Sequence, residues 1–165
     1  MRLLVAPITA VEHLLVTETV DHVLTLASPD AEVAPLGIDR TVLRFNDIVE
    51  ARPGLVAPDR AMVDQILRLG LSLRSDETLL IHCHAGVSRS TAGAYVLACA
   101  MRPPGEEAAL AAILRQASPE ATPNALMVAL ADQALGRSGA MIHAIAAIGR
   151  GVDCYEGSVV DWRLG

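Results

Sequence analysis

Apolar and polar positions follow two periods along this chain, and the change from one to the other marks its elements. Leu3-Leu4-Val5-Ala6-Pro7-Ile8, His22–Leu26, Thr41–Phe45 and Thr78–Ile81 are short runs rich in apolar residues. That is the pattern of strands buried in a sheet, and Thr78–Ile81, without a charge, is predicted to be central. Thr9 precedes Ala10, Val11, Leu14 and Leu15, the spacing of a short helix. Met62, Val63, Ile66, Leu67 and Leu69 give a second helix its apolar face. Pro58 suits its first turn, Asp59 adds charge where the helix dipole favours it, and Gly70 is expected to weaken its end.

From residue 92 to residue 149 the period is helical. Ala92 to Ala100 stops at Pro103-Pro104-Gly105, and Glu106 to Ala117 carries Leu110, Ile113, Leu114 and Ala117 on one face. Thr122-Pro123 reads as an N-cap and first-turn proline for a helix reaching Gly136. Ser138 to Gly149 is a weaker helix, and the tail after Gly151 follows neither period. Strands separated by helices, then helices alone, predict one α/β domain over residues 1–165. Its sheet is expected to be short, mostly parallel, of four to five strands, and covered by helices on both faces.

Composition narrows the classes. Hydrophobic residues make up 52% of the chain with only one Phe, one Trp and two Tyr, so the core must be aliphatic. The net charge is -6 and all thirteen basic residues are arginine. Nucleic acid and anionic membranes select dense basic patches, so neither is expected as a partner. Three cysteines without CxxC spacing do not make a disulfide framework, which predicts a reducing, cytoplasmic setting. The apolar start reaches Glu12 and His13 too soon for a signal peptide, and no apolar run approaches the about 20 residues of a membrane span.

The chemistry concentrates in Ile81-His82-Cys83-His84-Ala85-Gly86-Val87-Ser88-Arg89-Ser90-Thr91, between the last strand and a helix. Suppose a phosphate sits above this loop. His84, Ala85, Gly86, Val87 and Ser88 can turn their N–H groups inward, and the helix N-terminus adds more. Arg89 can hold two phosphate oxygens with its planar fork. Cys83, at the strand end amid these donors, is favoured as a thiolate and placed for in-line attack. A metal site at His82-Cys83-His84 is not expected, because neighbours on a strand point opposite ways and no distant Cys/His pair completes it.

His82-Cys83, five residues, Arg89 and Ser90 resemble the signature of the cysteine-dependent protein tyrosine phosphatase superfamily. Ala85-Gly86-Val87-Ser88-Arg89-Ser90 looks most like its small, dual-specificity branch, known from bacteria among others. The core match covers about ten residues. The resemblance implies a phosphomonoester hydrolase acting through phosphocysteine, without cofactor or metal, on phosphorylated protein or a small phosphomonoester. It implies that Cys83 is the nucleophile and that Arg89 binds the phosphoryl group. Ser90 would assist departure of the sulfur, and His82 would support the loop from behind.

The family's general acid is an aspartate after an upstream strand. Asp47 fits, 36 positions before Cys83, and Asp39, before the same strand, is the second candidate. The aromatic-Pro-Asp form of the larger tyrosine phosphatases is replaced by Asn46-Asp47. Arg115, Pro119 and Pro123-Asn124 resemble a segment of the small phosphatases in which the Asn braces the phosphate loop, a role that passes to Asn124. Asn124 equally fits an ordinary first-turn residue, and His84 either a contact at the cleft rim or a solvent-facing loop position. Phe45 and Tyr95 are the rings nearest in sequence for the aromatic wall of a phosphotyrosine pocket. The competing function is a catalytically weak phosphate-binding module that keeps the loop and lacks a working acid.

Overall fold

The computed structural model describes residues 1–164. Five strands, β1 (Arg2–Pro7), β2 (His22–Ala27), β3 (Arg40–Arg44), β4 (Thr78–Cys83) and β5 (Val160–Arg163), form one sheet in the order β3-β2-β4-β1-β5. The first four are parallel, and β5 runs antiparallel along the outer edge of β1. β4 is buried at every position between β2 and β1, as its uncharged run predicts.

Strand alternation sorts the side chains. Leu3, Val5, Leu24, Leu26, Leu79, Ile81 and Cys83 join the larger core. There the sheet meets five helices: α2 (Arg60–Ser72), α3 (Arg89–Met101), α4 (Glu107–Ala117), α5 (Ala125–Leu135) and α6 (Ala140–Ile148). Residues 89–99 of α3 are buried without a break, which explains an Ala-rich sequence with almost no polar stripe. On the other face Leu4, Ala6, Val23 and Leu80 pack on Val11 and Leu14 of α1 (Val11–Thr17), with Leu36 and Ile38 beside them. The class is α/β, with helices on both faces as expected.

Four details depart from the sequence reading. The tail does not stay irregular: Val160 and Trp162 are buried on β1, and the two-residue alternation of a four-residue strand is too short to recognise. Gly70 does not end α2 but lies buried inside it against Leu97 of α3. Pro58 stands before the helix, which Asp59 caps by accepting from the Met62 N–H at 2.8 Å. Thr122 is not the cap of α5; Asn124 is, accepting from Met127 N–H at 3.0 Å.

All four parallel strands end at the same edge of the sheet. Ile8, Ser28, Phe45–Asp47 and His84–Ser88 therefore meet there, where open α/β sheets bind their ligands.

Candidate active site

The loop after β4 is built with its carbonyls outward. His84 C=O accepts from Ile8 N–H at 3.1 Å, Ala85 from Gly157 at 2.7 Å, Val87 from Thr122 at 2.9 Å and Ser88 from Asn124 at 3.3 Å. A trans peptide points its N–H opposite its C=O, so fixing these carbonyls outside turns the intervening N–H groups toward the loop centre. Gly86 N–H shows the result, lying 3.3 Å from Cys83 Sγ. Gly86 has a φ of +74°, and a Cβ there would stand 2.6 Å from Pro7 N, so no larger residue fits.

Cys83 is buried at the floor of this loop, and its sulfur also lies 3.2 Å from the fully buried Ser90 hydroxyl. The Gly86 N–H donates to that sulfur, and in the Ser90 contact either atom can be the donor. Arg89 is 6% exposed and anchored through one nitrogen, Nη1, which donates to Phe45 C=O at 3.1 Å and Ser28 Oγ at 3.2 Å. Its buried Nε has no partner among the described residues. An unpaired buried donor costs about 1–3 kcal/mol, so a fork held this way is poised for an acceptor.

Asp47, exposed beyond β3, reaches the loop through its carboxylate. Oδ1 accepts from the Ser88 hydroxyl at 2.7 Å and from Asn124 Nδ2 at 2.8 Å. Asn124 Nδ2 also donates to Ile48 C=O at 3.2 Å. Asn124 thus joins α5 and the Asp47 loop through its side chain and the loop after β4 through its backbone. Asp39 is far from this assembly: it precedes β3, at the edge opposite Cys83, where its carbonyl accepts from Val23. Arg115 donates to Pro119 C=O and to Gly149 C=O at 2.7 Å, fixing the turn that delivers Asn124.

Behind Cys83, His82 is held by a relay. Arg40 can only donate, and its Nε lies 2.7 Å from Thr25 Oγ1. That hydroxyl lies 2.7 Å from His82 Nε2, and the direction of this bond follows the imidazole tautomer, since a hydroxyl with two lone pairs can accept from both neighbours. His82 Nδ1 is buried without a partner among the described residues. Burial pushes its pKa down to about 4, aided by the Arg40 charge and opposed by a loose approach to the Cys83 backbone.

A cavity of about 280 Å³ opens beside Cys83 and Arg89, with the exposed His84 on its lining. Its walls mix aliphatic side chains such as Ile8, Val11 and Leu36 with polar ones such as Thr25, Arg40 and Arg89, and hold no aromatic ring apart from the imidazoles. Phe45 and Tyr95 do not contribute, because both are fully buried in the core. Neither of the other thiols is placed for this chemistry: burial pushes Cys99 up to about 12, against the Tyr95 hydrogen bond, and Cys154 is exposed.

The structure thus brings Cys83, Arg89, Ser90, Asp47, His82 and Asn124 together around residues 84–88. Sequence reasoning missed Ser28, which anchors Arg89, although it follows a strand at the ligand-binding edge. It also missed Thr25 and Arg40, whose link to His82 crosses three strands. Gly157 is a third omission, since its N–H holds Ala85 from the tail. No protein-family model matches the chain, and no curated protein matches its sequence.

Proposed function

We propose that this chain is a phosphomonoester hydrolase of the cysteine-dependent protein tyrosine phosphatase type, in its small dual-specificity form. The single observation that supports this most is the Cys83 sulfur beneath a loop of inward N–H groups, beside an Arg89 fork with an unpaired Nε. The phosphoryl group would sit on the loop N–H groups and Arg89. The Cys83 thiolate attacks phosphorus, the P–O bond to the leaving group breaks, and Asp47 gives that oxygen its proton. With Oδ1 engaged by Ser88 and Asn124, Oδ2 is the atom left to carry it. Water then attacks the phosphocysteine, Asp47 takes the water's proton, and inorganic phosphate leaves as Ser90 donates to the departing sulfur. Three free thiols suit a cytoplasmic enzyme whose nucleophile must stay reduced.

The test uses p-nitrophenyl phosphate and phenyl phosphate. Cys83→Ser should abolish turnover of both. Asp47→Ala should lower kcat about 10²–10⁴-fold on phenyl phosphate and less on p-nitrophenyl phosphate, whose phenolate needs little protonation. No turnover by purified wild type refutes the hydrolase reading. Equal losses on the two substrates would remove Asp47 as the acid.

A further inference from the structure

The cavity beside Cys83 adjoins the bowl in which a phosphate would sit but does not coincide with it. Its lining takes in Cys83 and His84 at one end of the loop and Arg89 at the other. None of residues 85–88 lines it, and neither does Asp47 or Asn124. It extends instead along the sheet face that carries Thr25 and His82, the face two-residue alternation gives them with Val23 and Leu80. Ile8 and Val11 form one wall, and Ala31, Val33 and Leu36 another. An apolar cavity of about 150 Å³ accepts a benzene ring, and this one has about 280 Å³, room for a ring and a polar substituent.

Arg40 supplies the polar side. Its Nε donates to Thr25 Oγ1 at 2.7 Å and its Nη1 to Ala34 C=O at 2.5 Å, both neutral oxygens. Among the described residues Nη2 makes no hydrogen bond and no carboxylate pairs with Arg40. Partial burial opposes its charge, as does the neighbouring Arg44. A sheltered cation met only by neutral dipoles gains most from an anion, and Nη2 carries two N–H donors for one. Glu12 and Glu32, both exposed, also stand on the lining. Their repulsion grows with the charge of the ligand, which favours one negative charge over two.

We infer that this cavity binds a small organic monocarboxylate, with the carboxylate on Arg40 and a compact apolar body against Ile8, Val11 and Leu36. Such a ligand lies behind Cys83, away from Asp47 and the leaving group, so it is neither substrate nor product. It is an effector that touches Cys83 and Arg89 from behind and holds the arginine that supports Thr25 and His82. The inference goes beyond the hydrolase reading and does not depend on it.

Titration calorimetry of the full chain with 4-ethylbenzoate and its neutral counterpart 4-ethylbenzamide tests the site. The carboxylate should bind once per chain, and at least about tenfold more tightly than the amide. Saturating inorganic phosphate occupies the bowl, not the cavity, so the carboxylate's affinity should stay within about threefold in its presence. The preference for the carboxylate should vanish in Arg40→Gln and persist in part in Arg40→Lys. Amide N–H chemical shifts should move most at residues 31–36 and not at 85–88. No binding by wild type, equal binding of the amide, displacement by phosphate, or a preference kept in Arg40→Gln each overturns the inference. The first three need no variant, so a poorly folded Arg40→Gln leaves the test intact. Failure to turn over p-nitrophenyl phosphate would instead overturn the hydrolase reading alone.

Discussion

Acid should unfold this protein through His82 before it protonates the carboxylates. The folded pKa of His82 is pushed from 6.5 to about 4, and the full difference is worth about 3 kcal/mol. The sign follows from proton counting. Between about 4 and 6.5 the unfolded chain binds a proton that the folded chain refuses, so stability falls as pH falls through that window. Integrated from pH 7, the loss is about 2 kcal/mol by pH 5 and about 3 kcal/mol by pH 4. Glu107 and Asp161, both held below their ordinary range, lose their contributions only further down. For Asp161 the Arg2 hydrogen bond leads; for Glu107, burial pushes upward but is outweighed by backbone N–H groups and Arg137. The assay is urea unfolding of wild type and His82→Gln at pH 7, 6, 5 and 4. Gln can still accept from Thr25 but does not titrate, and all other groups cancel in the difference. Wild type should start more stable and lose about 2 kcal/mol relative to the variant by pH 5. Two parallel curves would refute the neutral, buried His82.

Two further substitutions probe the loop's supports. Gly157→Ala would bring a Cβ to 2.8 Å from Gly86 C=O and 3.3 Å from Val87 Cγ2, so the loop must shift. Displacements on this scale cost up to about 100-fold in rate, and steady-state kinetics should show at least a tenfold drop in kcat/KM; an unchanged value would mean the loop holds itself. Asn124→Ala should cost about 1 kcal/mol as a lost cap, measured by thermal unfolding. It should also lower kcat more than it raises KM, because Asp47 loses a partner; a pure KM effect would confine Asn124 to binding.

What could be read from the sequence was local. The loop from Cys83 to Arg89 is contiguous, so its residues could be named together with the strand that feeds it. Asp47 could be placed because it trails a strand ending at the same edge, and the topology then separates it from Asp39. The Thr25–Arg40–His82 relay could not be read, since it depends on which strands are neighbours. The cap of α5 was misplaced for a related reason. Thr122 looks like a cap, but its N–H is committed to Val87 C=O, and the helix begins after Asn124. The expected aromatic wall failed because a chain with so few rings buries two of them, Phe45 and Tyr95, in its core.

The tail crosses back over the site. Gly151 N–H donates to Thr122 Oγ1 at 3.0 Å, Ser158 N–H to Glu120, Gly157 N–H to Ala85 C=O, and β5 then closes the β1 edge. This brace lies further along the sequence than every candidate site residue it supports, from Asp47 to Asn124. Cutting the chain after residue 149 would keep all of those residues while leaving Ala85 C=O without its tail partner and the β1 edge bare and open to pairing with another chain. On the proposed function, such a cut should lower activity and solubility together although it removes no proposed catalytic group.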